Sequence, residues 1–123
     1  METTIDATFE TVRLGELQTM RATLCDRLPF GVVGLDAVGI TRVYNETEAR
    51  MAGLDPKRVL GISFFDAVAQ CMNNFMVAQR FEDEPELDAI IPYVLTLRMR
   101  PTPVRLRLLA SRSMPLRFIL IAR

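Results

Sequence analysis

The last third of this 123-residue chain alternates between apolar and other residues over three runs, and this pattern restricts the fold more than any other feature. Residues 93–100, 104–109 and 116–121 repeat with a period of two, as expected for β-strands with one buried face. A Pro-Thr-Pro turn separates the first two runs. The pattern predicts three long antiparallel strands with an apolar inner face. The residues assigned to that face are Tyr93, Leu95, Leu97, Met99, Val104, Leu106, Leu108, Leu116, Phe118 and Leu120.

The preceding part of the chain predicts a hairpin followed by short helices. Residues 30–36 are typical of a buried strand and residues 40–44 of its hairpin partner. Asn45 is placed to cap the next helix and Gly53 to end it. Asp55-Pro56 starts another turn, and a further short helix is expected from Phe64-Phe65 to Cys71. The acidic residues between 82 and 88 are interpreted as a solvated connection.

The N-terminal residues predict a helix that needs a partner surface. Apolar side chains recur at spacings of three and four over residues 6–27, with Gly15 weakening the middle. We expect this helix to lie on the outer face of the sheet or on a second copy of the chain. The sequence thus predicts an α+β domain: a five-stranded antiparallel sheet with short helices over one face and an N-terminal helical cap. The predicted units are residues 1–27 and 28–123.

The composition excludes several classes of function. The sequence contains no histidine, which removes His-ligated metal sites and Ser-His or Cys-His nucleophile pairs, and no enzyme activity is expected. No apolar run is long enough to span a membrane. Cys25 and Cys71, far apart in apolar surroundings, favour a reducing cytoplasm over a disulfide. The balance of 15 basic and 15 acidic residues gives no general case for nucleic-acid binding.

Three side chains between Ile40 and Cys71 are candidates for one small site. Tyr44 and Glu48 are four residues apart, so a helix beginning near Asn45 lets them reach the same side. The thiol of Cys71 belongs to the next helical segment. A phenol, a carboxyl and a thiol are therefore predicted to converge on one cavity.

These motifs resemble the PAS domains of the photoactive yellow protein family, small bacterial blue-light receptors, from about Leu28 to Arg123. The residues that carry the resemblance are LPFGVVGLD, VYN, Glu48, GLDP, GISFFDAVAQC and MRPTPV. In that family the cysteine holds a p-coumaroyl group as a thioester, and a tyrosine and a glutamic acid bind its phenolate. The resemblance implies these roles for Cys71, Tyr44 and Glu48.

The same resemblance points to three pocket positions where this chain differs from the family. Ala52 stands where the family has a threonine, Leu54 where it has an arginine, and Leu95 where it has an aromatic residue. These changes make the predicted pocket more aliphatic. The resemblance also implies that a newly ionised, unpaired Glu48 would loosen the domain and release the N-terminal helix. Because the sequence ends after the last predicted strand, signalling to a separate protein is expected.

Alternative interpretations remain for each of these residues. Cys71 could be a buried, inert thiol, and Tyr44 a strand-end aromatic bonded to backbone. Glu48 could be an exposed helix residue that pairs with Arg42 or Arg50. The alternative function is then a PAS interaction module without a chromophore. Such a module would form a homodimer, or bind a protein partner, through the N-terminal helix or the outer sheet face.

Arginine dominates the end of the sequence. Seven arginines and no acidic residue lie between Arg98 and Arg123. They are interpreted mainly as a solvated sheet face. A surface for an acidic partner, or for the chain's own residues 82–88, is the sharper alternative. Nucleic acid is not expected, since no aromatic residues interleave with the arginines.

Overall fold

The computed structural model, which describes residues 8–96 and 100–123, contains one antiparallel sheet of five strands. The strands run in the order β2-β1-β5-β4-β3, so the last strand of the chain lies at the centre. Their bounds are β1 Gly31–Leu35, β2 Thr41–Tyr44, β3 Leu87–Leu95, β4 Thr102–Ala110 and β5 Arg117–Ala122. The helices are α1 Leu14–Thr19, α2 Ala22–Cys25, α3 Glu46–Ala52, α4 Pro56–Val59 and α5 Ala78–Asp83. The predicted fold class is confirmed.

Asn45 begins α3 as predicted and also connects it to the sheet. Its side-chain oxygen accepts hydrogen bonds from the amides of Glu48 at 3.1 Å and Val32 at 2.9 Å. Its amide nitrogen donates to the carbonyls of Cys25 and Phe30. The side chain is therefore fully used, which fixes the entry of α3 against β1. Gly53 ends the helix with a φ of 71°, a conformation that glycine adopts without the Cβ penalty.

The segment expected to be one helix ending at Cys71 is divided in two. A π-helical turn covers Phe64–Val68, and a 3₁₀ turn covers Gln70–Met72. Ala69 lies between them with φ −129° and ψ 68°, which is outside the helical region. Cys71 therefore lies on a tight, irregular turn and not at the end of a regular helix.

Two of the strand predictions are corrected. Strand β3 begins at Leu87, six residues before the predicted start, so residues 82–88 are only partly a connection. On β5, Ile119 and Ile121 share the helix-side core, while Phe118 and Leu120 face the opposite side. The sequence assigned these faces the other way round. Because β5 is central and covered on both sides, both of its faces are apolar, and alternation does not identify the inner one. Leu97, Arg98 and Met99 lie outside the described residues.

The N-terminal segment forms two short helices and not one. The backbone turns extended at Met20 (φ −66°, ψ 130°), between α1 and α2, and not at Gly15. The segment packs on the outer face of the chain's own sheet, where it closes a second apolar core. The members of this outer core are Phe9, Val12, Leu17, Cys25, Leu28, Phe30, Val32, Leu109, Phe118 and Leu120.

Two arginines of β4 hold this segment in place. The guanidinium of Arg107 donates to the carbonyls of Phe9 at 3.0 Å and Val12 at 2.7 Å, and pairs with both oxygens of Asp88. Arg105 pairs with Glu10 at 3.1 Å and lies over the ring of Phe9. For Arg107 the interpretation as a solvated residue is wrong, and the alternative of a contact with the chain's own residues 82–88 holds through Asp88. Among the described residues no helix is long and apolar enough to cross a membrane.

Candidate functional site

The carboxyl of Glu48 lies between α3 and the sheet. The residue is 1% exposed, because α3 packs directly on β1. Gly31 makes this possible: a Cβ at that position would lie 2.1 Å from Oε1 of Glu48. A glycine is therefore required where the carboxyl meets the strand. The alternative in which Glu48 is an exposed helix residue does not hold.

Arg123 is the partner of Glu48. Its Nη1 lies 2.6 Å from Oε1 and its Nη2 lies 3.1 Å from Oε2, so the pairing is bidentate. The side chain of Arg123 is only 14% exposed. The register Gly31↔Ile121 brings the end of β5 beside α3 and so places the guanidinium there. Arg42, one of the alternatives for pairing with Glu48, pairs with Asp36 instead.

Burial and charge act in opposite directions on these groups. Burial raises the pKa of Glu48 above its ordinary value, and the Arg123 guanidinium offsets part of the rise. Burial also raises the pKa of Tyr44, and the negative charge of Glu48 adds to the effect. The positive charge of Arg123 offsets part of this rise in the pKa of Tyr44. The phenol, the carboxyl and the guanidinium therefore form one electrostatically coupled group.

The predicted wall residues lie on the helix side of the sheet. Tyr44 and Leu95 are buried members of the helix-side core, and Leu54 and Cys71 pack against it at its edge. Ala52 is buried near the end of α3. The structure thus places Tyr44, Leu54, Cys71 and Leu95 around one apolar core, with Glu48 turned toward the sheet and Arg123. It shows no direct contact between the Cys71 thiol and the Tyr44–Glu48 group within the described residues.

A second tyrosine, which sequence reasoning did not assign to the site, lies at Cys71. The hydroxyl of Tyr93 donates to the carbonyl of Cys71 at 2.5 Å. The amide of Asn74 donates to that same carbonyl at 3.0 Å and to the Tyr93 hydroxyl at 2.6 Å. These bonds fix the turn that carries the thiol. The alternation of apolar residues predicted that Tyr93 points inward. It did not predict the bond to the Cys71 carbonyl, because that bond depends on the turn at residues 70–74.

The two thiols lie in different environments. Cys25 is 4% exposed in the outer core, and burial raises its pKa to about 11. It therefore remains a protonated thiol at neutral pH. Cys71 is partly exposed at the edge of the helix-side core. Of the two, only Cys71 is accessible to an acylating reagent in the folded protein.

Comparison with known proteins identifies the family, although no protein-family model matches the sequence. The chain is 35% identical to photoactive yellow protein of Halochromatium salexigens over 86 aligned residues. The aligned region covers 68% of this chain and 69% of that protein. It is 33% identical to that of Rhodothalassium salexigens with the same coverage.

Solved structures agree with this relationship. The photoactive yellow protein domain of the sensor histidine kinase Ppr from Rhodospirillum centenum superposes with a TM-score of 0.81 at 32% identity, covering 89% of this chain and 98% of that domain. The PAS domain of an HTR-like protein from Haloarcula marismortui has the same fold, with a TM-score of 0.63 at 22% identity over 89% of this chain and 98% of that one. This chain therefore belongs to the photoactive yellow protein family and is a sensory PAS domain.

Proposed function

We propose that this PAS domain is a photoreceptor that carries a p-coumaroyl group as a thioester on Cys71. It acts in the cytoplasm without enzymatic activity of its own and signals by changing its contacts with a protein partner or a second copy. The observation that carries the proposal is the burial of Tyr44 and Glu48 in one coupled group beside the core that Cys71 borders. The family relationship supports the same chemistry.

The residues present suit such a group at three points. The thiol of Cys71 is accessible at the edge of the core and lies on a turn fixed by Tyr93 and Asn74. Leu54 and Leu95 supply apolar surface for an aromatic ring. Tyr44 and Glu48 supply the polar groups for a phenolic oxygen. When bound, the p-coumaroyl group supplies the absorption of light and an ionisable phenol.

The remaining polar chemistry belongs to the protein. Because the carboxyl of Glu48 is almost completely removed from water, any proton that it gains or loses passes to or from a group inside the domain. An ionised Glu48 is stable there only while Arg123 compensates its charge. Breaking a buried pair by removing one partner costs about 3–5 kcal/mol, a large fraction of the stability of a small domain. A change in this pair is therefore sufficient to alter the packing of α3 on the sheet.

Reconstitution tests the proposal. The purified protein is incubated with p-coumaric anhydride, and its mass and absorbance spectrum are recorded. We expect the mass gain of one p-coumaroyl group and a new band in the near-ultraviolet or visible range. Cys71→Ala should abolish both, whereas Cys25→Ala, the matched control at the buried thiol, should retain both. A wild-type protein that stays unmodified and colourless contradicts the proposal.

A PAS interaction module without a chromophore is the second candidate. The observation that favours it is the bidentate Glu48–Arg123 pair, which satisfies the carboxyl without a ligand. The edge strand β3 would then provide the docking surface, since Ile90 and Val94 are exposed on its outer face. This function predicts a concentration-dependent dimer that Ile90→Lys disrupts. The reconstitution experiment distinguishes the two candidates, because a module without a chromophore stays unmodified whether or not it forms this dimer.

A further inference from the structure

The guanidinium of Arg123 lies inside the candidate site, although the sequence predicted it to belong to a solvated sheet face. Its two nitrogens contact both oxygens of Glu48, and its charge also lowers the pKa of Tyr44. Among the described residues, these are the charged or titratable groups that act on one another here. One positive charge therefore acts on both the carboxyl of Glu48 and the phenol of Tyr44.

The surroundings of Arg123 leave it room to exchange partners. An open surface pocket adjoins its side chain and is lined also by Phe30, Gly31, Thr47 and Met51. The guanidinium is thus not packed on every side. It can shift away from one carboxylate oxygen without moving the strand that carries it.

Charge compensation limits what else can bind. In a site of low dielectric constant, the single guanidinium compensates one anion well, and a second uncompensated anion is strongly disfavoured. An incoming phenol that ionises in the site must therefore displace Glu48 or transfer its proton to the Glu48 carboxylate. Glu48 is suited to protonation, because burial already favours its neutral form.

We propose that Arg123 is the specificity-determining residue for an anionic oxygen at the Tyr44–Glu48 group, and that Glu48 takes the place of that oxygen when no ligand is bound. The ligand class rests on the proposed function: a phenol such as that of the p-coumaroyl group. The exchange is balanced. The phenol O–H proton passes to the carboxylate of Glu48, and the phenolate oxygen accepts one N–H bond from Arg123 that Glu48 gives up.

The first test is the ionisation of the attached phenol. The p-coumaroyl protein is titrated by absorbance in the wild type and in Arg123→Gln, Arg123→Lys and Arg117→Gln. We expect Arg123→Gln to weaken phenol ionisation by at least tenfold and Arg123→Lys to restore most of it. Arg117, at the start of the strand that Arg123 follows, is the matched control, and Arg117→Gln should titrate like the wild type. Equal titration of wild type and Arg123→Gln overturns the inference while leaving the photoreceptor proposal intact.

The second test does not depend on thioester formation. Cys71→Ala protein, with native arginine or with Arg123→Gln, is titrated calorimetrically with p-coumaric acid methyl ester and with its 4-methoxy analogue, which cannot ionise. We expect the native-arginine protein to prefer the phenol by at least tenfold and Arg123→Gln to lose that preference. If Arg123 controls the preference for the phenol but p-coumaric anhydride does not acylate the wild type, the inference stands and the photoreceptor proposal fails. No binding of either ester, or a preference that survives Arg123→Gln, overturns the inference.

Discussion

At the scale of single residues, the chemistry of this domain is concentrated in Glu48 and the residue that compensates it. The sequence predicted a buried Glu48 near Tyr44 but not the pairing with Arg123, which lies 75 residues away along the chain. Local spacing on a helix predicts contacts four residues apart. It contains no information about which distant strand end lies beside that helix. The register of β1 with β5 supplies this information, and only the folded chain fixes it.

The raised pKa of Glu48 predicts a particular dependence of stability on pH. The folded protein retains the Glu48 proton at pH values where the unfolded chain, with an ordinary pKa near 4.5, has lost it. The contribution to stability is therefore complete below about pH 4.5 and is lost as the pH rises through the pKa of the folded state. Relative to Glu48→Gln, the wild type should lose free energy of unfolding over this range.

Urea denaturation at several pH values measures this difference. Glu46→Gln is the matched control, because Glu46 is an exposed carboxyl on the same helix. The pH dependence of that variant should follow the wild type. A wild-type stability that rises relative to Glu48→Gln between pH 4.5 and 7 would show that Arg123 lowers the pKa more than burial raises it.

At the scale of elements, Arg107 attaches the start of the N-terminal segment to the sheet. Its side chain is 8% exposed, and its guanidinium donates hydrogen bonds to four acceptor atoms of Phe9, Val12 and Asp88. The sequence predicted that this segment needs an apolar surface. It did not predict the anchor, because alternation placed Arg107 among solvated arginines. Arg107 is buried because the N-terminal segment covers the outer face of the sheet at that position.

Replacing this anchor should loosen the N-terminal segment. Arg107→Met keeps the apolar stem but leaves the carbonyls of Phe9 and Val12 without their donor, so we expect a loss of about 3 kcal/mol in the free energy of unfolding. Arg105→Met is the matched control, since its ion pair with Glu10 is half exposed and should contribute little to stability. Denaturation and trypsin cleavage within residues 8–27 measure both effects. Equal losses in the two variants would contradict the anchoring role.

At the scale of the whole molecule, the fold was more predictable than the site. Period-two alternation and the cap at Asn45 identified most elements, because those signals are local. The faces of β5 were wrong, since a strand covered on both sides has no polar face to mark the outside. The division of the N-terminal segment at Met20 was also missed: apolar spacing is similar in one helix and in two short helices that share a surface. Both errors follow from tertiary packing on the outer sheet face.

That outer face leads to the last prediction, which concerns the N-terminal segment as a cover. Deleting residues 1–27 removes Phe9, Val12, Leu17 and Cys25 from the outer core and exposes the sheet residues beneath them. Each buried aliphatic or aromatic side chain contributes about 2 kcal/mol, so the truncated domain should lose several kcal/mol or hide the surface by self-association. Light scattering and denaturation measure both outcomes. Deleting residues 1–7 alone retains the described contacts of the segment and is the control. A monomer of unchanged stability after the longer deletion would show that these helices do not cover the sheet in solution.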